Sequence, residues 1–151
     1  LFAEYERSKI MERTRRGKLH LAREGALVGG HAPFGYRWIK RGEASRARLE
    51  PIDYQAGVIR RMYRLLVDEQ LSTRAIARRL THEGVSTARG AAQWQPTAVS
   101  RMLTNPVYKG CYRYRQSGQE EILIPVPPIV DADMAGSPGP VDCQFPILQP
   151  K

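Results

Sequence analysis

Cysteine is nearly absent: the chain holds only Cys111 and Cys143, too far apart for a CxxC pair, so no cysteine zinc site is encoded. A single disulfide between them is the alternative and would need an oxidising compartment; buried or idle thiols are the expectation. Long apolar runs are missing too, and nothing approaches the ~18 residues that a spanning helix needs. The opening Leu1-Phe2-Ala3-Glu4 has neither the charged nor the apolar region of a signal peptide. A cytoplasmic chain is the expectation. Histidine is scarce: His20, His31 and His82 show no triad or metal spacing, which counts against a hydrolase and against a metal site. A start Met is also lacking, and a chain that opens on Leu1 suggests a domain excised from a longer protein.

What is present is a globular composition with a lopsided charge. The chain has 151 residues, 42% hydrophobic and 26% charged, which suits one ordered domain rather than a disordered segment. The net charge is +9, but residues 1–115 carry +13 and residues 116–151 reverse to −4. Between residues 70 and 115, Glu83 stands alone against eight Lys and Arg. A basic surface of that extent favours a polyanion, most often nucleic acid. Basicity alone also fits any soluble basic protein.

Residues 3–24 contain no proline and read as one long helix, with Glu12 supporting Arg16 at i,i+4. Ala3, Ile10, Thr14, Gly17 and Leu21 form a narrow seam, a spacing suited to helix-on-helix contact. Beside it runs a basic stripe of Lys9, Arg13, Arg16, His20 and Arg23, roughly 21 Å long at 1.5 Å per residue. The alternative is an ordinary solvated face. Gly25 ends the helix. Phe34, Tyr36 and Trp38 then alternate as a short strand, with residues 48–52 as its partner, and Gly29 and Gly30 allow a close backbone approach to a groove or a plain turn. His31 reads as a solvated loop residue.

Asp53 is expected to cap a helix running to about Asp68, with Val58, Ile59, Met62, Tyr63 and Leu66 inward. Its charges balance, so it reads as scaffold. Ser72 caps the next helix, over 73–83, with Ile76, Ala77 and Leu80 inward and Arg74, Arg78, Thr81 and His82 outward. Gly84-Val85 ends it. After a link of about ten residues, Pro96 opens a fourth helix. There Val99, Met102 and Leu103 share one face and Thr97, Ser100, Arg101 and Thr104 the other. Asn105-Pro106 closes it. Tyr108–Tyr114 and Glu121–Val126 are strand candidates. From Val126 onward prolines accumulate, and order there is not expected.

A bracing helix followed by a short helix with one apolar and one polar face is helix-turn-helix logic, although the connection is longer than the usual three or four residues. A plain helical pair inside a basic domain is the competing reading. Arg suits guanine and hydroxyls suit bases or phosphates, so the fourth helix is the candidate reading element.

The runs AEYERSKIMERTRRG, GGHAPFGYR, LSTRAIARRLTHEGVSTARG, Trp94 and LTNPVYKG, in that order, resemble the large serine recombinases, the phage integrases and transposases of the serine family. The resemblance covers about residues 1–134, PPIVDADM included. It implies that the first helix leaves a catalytic domain and crosses DNA, and that the remainder is a recombinase domain binding part of an attachment site. It implies serine attack on phosphate in the whole enzyme, without a nucleotide cofactor. The family's nucleophilic serine would precede Leu1, so no serine here inherits that role. Its zinc ribbon and coiled coil have no counterpart here, and residues 135–151 match nothing in the family.

The resulting expectation is a mainly helical α+β fold: a long N-terminal helix, a small β-hairpin, a helix-turn-helix-like core, short C-terminal strands and an irregular tail. The divisions are residues 1–25 (linker helix), 26–134 (DNA-binding domain) and 135–151 (disordered tail). The candidate DNA-binding residues are Lys9, Arg13, Arg16, Arg23, Arg37, Arg74, Arg78, Arg89, Thr97, Ser100, Arg101 and Thr104. No metal, cofactor or catalytic residue is expected. The partners are double-stranded DNA, a catalytic domain of the parent protein and a second copy through the N-terminal helix. The function is attachment-site binding for integration, excision or transposition, with a free-standing helix-turn-helix regulator as the alternative. Such a regulator needs a dimerisation or effector element, and none is evident.

Overall fold

The proline-free opening becomes α1, Phe2–Arg23, and Gly25 at φ +76° turns the chain out of it. The computed structural model describes residues 1–29, 31–40, 42, 46–118, 121–131 and 134. The expected tail, Gly30 and most of the first hairpin turn lie outside the described residues. Within α1 only Ala22 is buried. Ile10 is 65% exposed and Leu21 37%, so the expected seam packs against no helix among the described residues.

The chain next forms β1, Tyr36–Ile39, antiparallel to β2, Arg48–Pro51. Gly35, at φ +97°, sits at the entry. A Cβ there would lie 2.9 Å from Ile129 Cδ1, so the core touches bare backbone at this point. Gly35 N–H donates to Gln55 Oε1 at 2.9 Å, which fastens the hairpin to the following helix.

That helix, α2, runs Asp53–Val67. Asp53 is its first residue rather than its cap, which is Ile52 without a side-chain bond. Val58, Ile59, Met62 and Tyr63 are buried as expected, but Leu65 is buried too while Leu66 is only partly covered. Ser72 caps α3, Thr73–His82, by accepting from Ala75 N–H at 3.3 Å. Pro96 opens α4, Pro96–Leu103. Ile76, Leu80 and Val99 are fully buried, and α3 and α4 pack on each other and on α2. Each such aliphatic side chain contributes roughly 1.5–3 kcal/mol by leaving water.

After α4 the chain departs from expectation. Asn105 Oδ1 accepts from Val107 N–H at 3.1 Å and starts a 3₁₀ turn, Pro106–Lys109. Tyr108 therefore sits in the core rather than in a strand. Strand β3 is only Cys111–Tyr114, paired antiparallel with β4, Ile122–Pro125. Cys111 is fully buried, as the expectation of buried or idle thiols allows, but it is disulfide-bonded rather than a thiol, and Cys143 lies outside the described residues. Ile129 and Val130 lie in the proline-rich stretch yet are core residues. Both donate their N–H to Tyr108 O, at 2.9 and 3.0 Å, and Arg60 Nε donates to Ile129 O at 2.9 Å. Backbone bonds thus order a segment whose composition alone argues otherwise. The mainly helical α+β architecture is as expected.

Candidate nucleic-acid interface

Trp94 organises the surface around α3 and α4. The link between these helices spans residues 83–95 and would be loose without an anchor. Trp94 is 4% exposed and supplies three tethers. Its indole Nε1–H donates to Val85 O at 2.8 Å, its backbone N–H donates to Thr81 Oγ1 at 2.9 Å, and Phe34 meets its ring edge-on at 5.7 Å. Thr81, expected to face outward, is half-buried: its hydroxyl donates to Ala77 O at 2.8 Å while accepting from Trp94. The sequence signal for this was available, a tryptophan in a polar link with no other aromatic nearby.

Two depressions flank Trp94. One, of about 520 Å³, is lined by Arg74, Arg78 and His82 of α3 together with Gln93, Gln95 and Pro96. Arg74 and Arg78 are one turn apart, about 6 Å along the axis. The other, of about 500 Å³, lies between α4 and the link and is lined by Arg89, Thr97, Arg101 and Asn105 over Phe34, Trp94 and Met102. Gln93, Gln95 and Asn105 line these hollows and were missed by sequence reasoning, which followed charge.

Electrostatics separates the arginines of this region. Arg79 pairs with Glu69 at 2.8 Å and approaches Glu83 at 3.6 Å, while Arg61 takes Glu83 at 2.6 Å. The acids of this region are therefore engaged on the α2 side of α3. Arg74, Arg78, Arg89 and Arg101 are exposed and make no ion pair among the described residues. Arg89 stands on a turn closed by Gly90 N–H to Thr87 O at 2.9 Å and Ala91 N–H to Thr87 Oγ1 at 2.8 Å.

The other candidates divide. Thr97 and Arg101 project from α4, whereas Ser100 is half-buried. The Thr104 hydroxyl donates to Ser100 O at 2.9 Å, leaving only lone pairs and a methyl for a base. Arg37 is paired with Glu50 at 2.8 Å and lines neither depression. On α1, Arg13 and Arg23 are exposed without ion pairs among the described residues, Lys9 lies 4.6 Å over the Tyr5 ring, and Arg16 is paired with Glu12. The structure therefore gathers Arg74 with Arg78, and Arg89 with Thr97 and Arg101. It leaves Arg37 and the α1 residues apart from them.

No group of three or more His, Cys, Asp or Glu with metal-holding geometry occurs among the described residues, and no helix there is long and apolar enough to cross a membrane. Burial pushes the Tyr36, Tyr63, Tyr108 and Tyr112 phenols above their usual range, so they stay neutral. Tyr36 OH shares its proton between Val107 O and Pro127 O, at 3.0 and 2.7 Å. Tyr63 OH donates to Leu103 O at 2.9 Å, so these two hydroxyls tie core side chains to backbone carbonyls.

The Recombinase family model matches residues 53–135, the span that contains α2, α3, α4 and every residue named for the two depressions except Phe34. This chain belongs to the Recombinase family. A protein of Bacillus subtilis (strain 168) named "Putative DNA recombinase" is 29% identical over 156 aligned residues, covering 87% of this chain and 30% of that protein. The chain thus spans under a third of that relative's length. Among solved structures, a chain of "Crystal Structure of a LSR-DNA Complex" matches at TM-score 0.58 and 20% identity, covering 82% of this chain and 35% of that one. A chain of "Sequence Requirements of the Listeria innocua prophage attP site" matches at TM-score 0.56 and 20% identity, covering 82% and 48%. At that identity the two structures establish a shared fold. The resemblance to large serine recombinases, stated from sequence motifs, is borne out in family and fold.

Proposed function

We propose that the chain is the DNA-binding domain of a site-specific serine recombinase and that it holds attachment-site duplex for integration, excision or transposition. The observation that carries this reading is the set Arg74, Arg78, Arg89 and Arg101, unpaired among the described residues and grouped on either side of Trp94. Like charges are gathered there without acids, an arrangement that costs stability unless a polyanion is the partner. The solved structures that share the fold include one named as a complex with DNA. Within this reading α4 enters the major groove, where Arg101 can make a two-pronged contact with guanine. The α1 arginines contact phosphates. Residues 1–25 serve as linker helix and 26–134 as the binding domain. The nucleophilic serine belongs to another part of the parent protein, so these residues bind DNA without cutting it.

Titration of a fluorescent duplex with the purified chain at rising salt tests the reading. Log affinity is expected to fall linearly with log salt, by about 0.9 per neutralised phosphate. Affinity that ignores salt, or no binding at low salt, contradicts it. A covalent serine–DNA adduct formed by this chain alone contradicts the division of labour.

A further inference from the structure

The turn at Thr87–Ala91 is built as a narrow, stiff projection. Thr87 ties it three times: its O accepts from Gly90 N–H at 2.9 Å, its Oγ1 accepts from Ala91 N–H at 2.8 Å, and its N–H donates to Ala91 O at 3.2 Å. Gly90 takes φ +74°, which lets the chain reverse sharply. Trp94 pins the end of the link, a few residues on. The immediate chain neighbours of Arg89 are Ala88, Gly90, Ala91 and Ala92, small residues, and the Thr87 hydroxyl is turned inward onto Ala91 N–H. The arginine is exposed and has no bond to any described residue.

Across the cleft of about 500 Å³ stands Arg101 on α4. One strand of a duplex has a major groove on one side and a minor groove on the other. We propose that this cleft straddles a sugar-phosphate strand, with α4 in the major groove and Arg89 reaching into the adjoining minor groove. This rests on the DNA-binding reading above and assigns Arg89 a part in specificity. The minor groove is about 6 Å wide, which excludes a broad loop but admits one arginine flanked by alanines and glycine. A·T-rich segments narrow that groove and deepen its negative potential, which attracts arginine. The consequence is a preference for A·T pairs at a position that α4 does not touch.

Inosine separates the two grooves. An inosine·cytosine pair keeps the acceptors of guanine in the major groove but lacks the amino group that guanine places in the minor groove. The test uses the full chain and a duplex selected by it from a random pool, with A·T, G·C or inosine·cytosine pairs placed beside the α4 contact. The wild type is expected to bind the A·T and inosine·cytosine duplexes about fivefold or more tighter than the G·C duplex, the scale of one unfavourable pair. Arg89→Ala should bind all three alike while keeping its preference at the α4 position. Its melting temperature should not move, because Arg89 has no bond to lose. Equal wild-type affinity for the inosine·cytosine and G·C duplexes would overturn the proposal. So would a uniform loss of affinity in Arg89→Ala on all three, the mark of a phosphate contact. Failure of the wild type to bind any duplex would instead remove the DNA reading, and this assignment with it.

Discussion

Helix α1 and the α3–α4 pair are both rich in arginine, yet they hold it differently. Along α1 only Ala22 is buried, and basic residues alternate with acids such as Glu12 and Glu24, which pair with Arg16 and His20. In α3 and α4, Ile76, Ala77, Leu80 and Val99 are buried and the local acids are engaged on the far side of α3. One region is a solvated rod whose charges can shift. The other fixes its arginines to a core, to the precision of the packing. Donors held on a packed core can discriminate between bases, while a solvated basic rod contributes affinity without sequence information.

The sharpest way to break this contrast is Val99→Asp. It places a charge at a fully buried position with no partner, and a loss of about 3–5 kcal/mol is expected. Urea unfolding followed by tryptophan fluorescence would measure it. A stable variant would mean that α4 is not anchored to the core.

Trp94→Phe should have the next largest effect. It removes the donor to Val85 O and leaves that carbonyl unpaired, at a cost of about 1–3 kcal/mol. Selectivity between DNA sequences should fall with it, since Arg89 and Arg101 would lose their common support. Thermal melts beside competition binding would show whether the two losses travel together.

Ser72→Ala sharpens the same comparison more gently, removing the α3 cap at about 1 kcal/mol. On α1 the expectation reverses. Arg13→Ala with Arg23→Ala should leave the melting temperature unchanged, because both side chains are exposed. The pair should weaken binding equally on every duplex and reduce the salt slope by about 0.9 for each phosphate no longer neutralised. Salt-dependent titration on two unrelated duplexes checks this.

Much of the architecture was legible because its signals are local. Apolar residues at helical spacing marked α2, Ser72 and Pro96 marked two helix starts, and the alternation at Tyr36 and Trp38 marked β1. What escaped depended on partners distant in sequence. Tyr108 looked like a strand residue until Asn105 capped a turn before it. Ile129 and Val130 fall in a proline-rich stretch whose composition argued against order, and their order comes from Tyr108 O. Thr81 looked like a surface hydroxyl, but its partner Trp94 lies thirteen residues on. The α1 seam had the periodicity of a packed helix, and periodicity does not supply a partner.

The candidate site was legible as residue types and not as an arrangement. Charge picked out Arg74, Arg78, Arg89 and Arg101, and the structure groups them around Trp94. Charge also picked out Arg37, and only the hairpin register, which sets it opposite Glu50, shows that it is engaged. Thr104 was chosen for its hydroxyl, whose proton is committed to Ser100 O.

Selection of bound sequences from a random duplex pool by the wild type, Arg101→Ala and Arg13→Ala tests the central claim most directly. If α4 reads sequence and α1 holds phosphates, Arg101→Ala loses preference at one base position, where a two-pronged contact is worth about 1–3 kcal/mol of discrimination. Arg13→Ala should recover the wild-type preference at lower affinity. Identical preferences from the wild type and Arg101→Ala would contradict the account and return α4 to the scaffold.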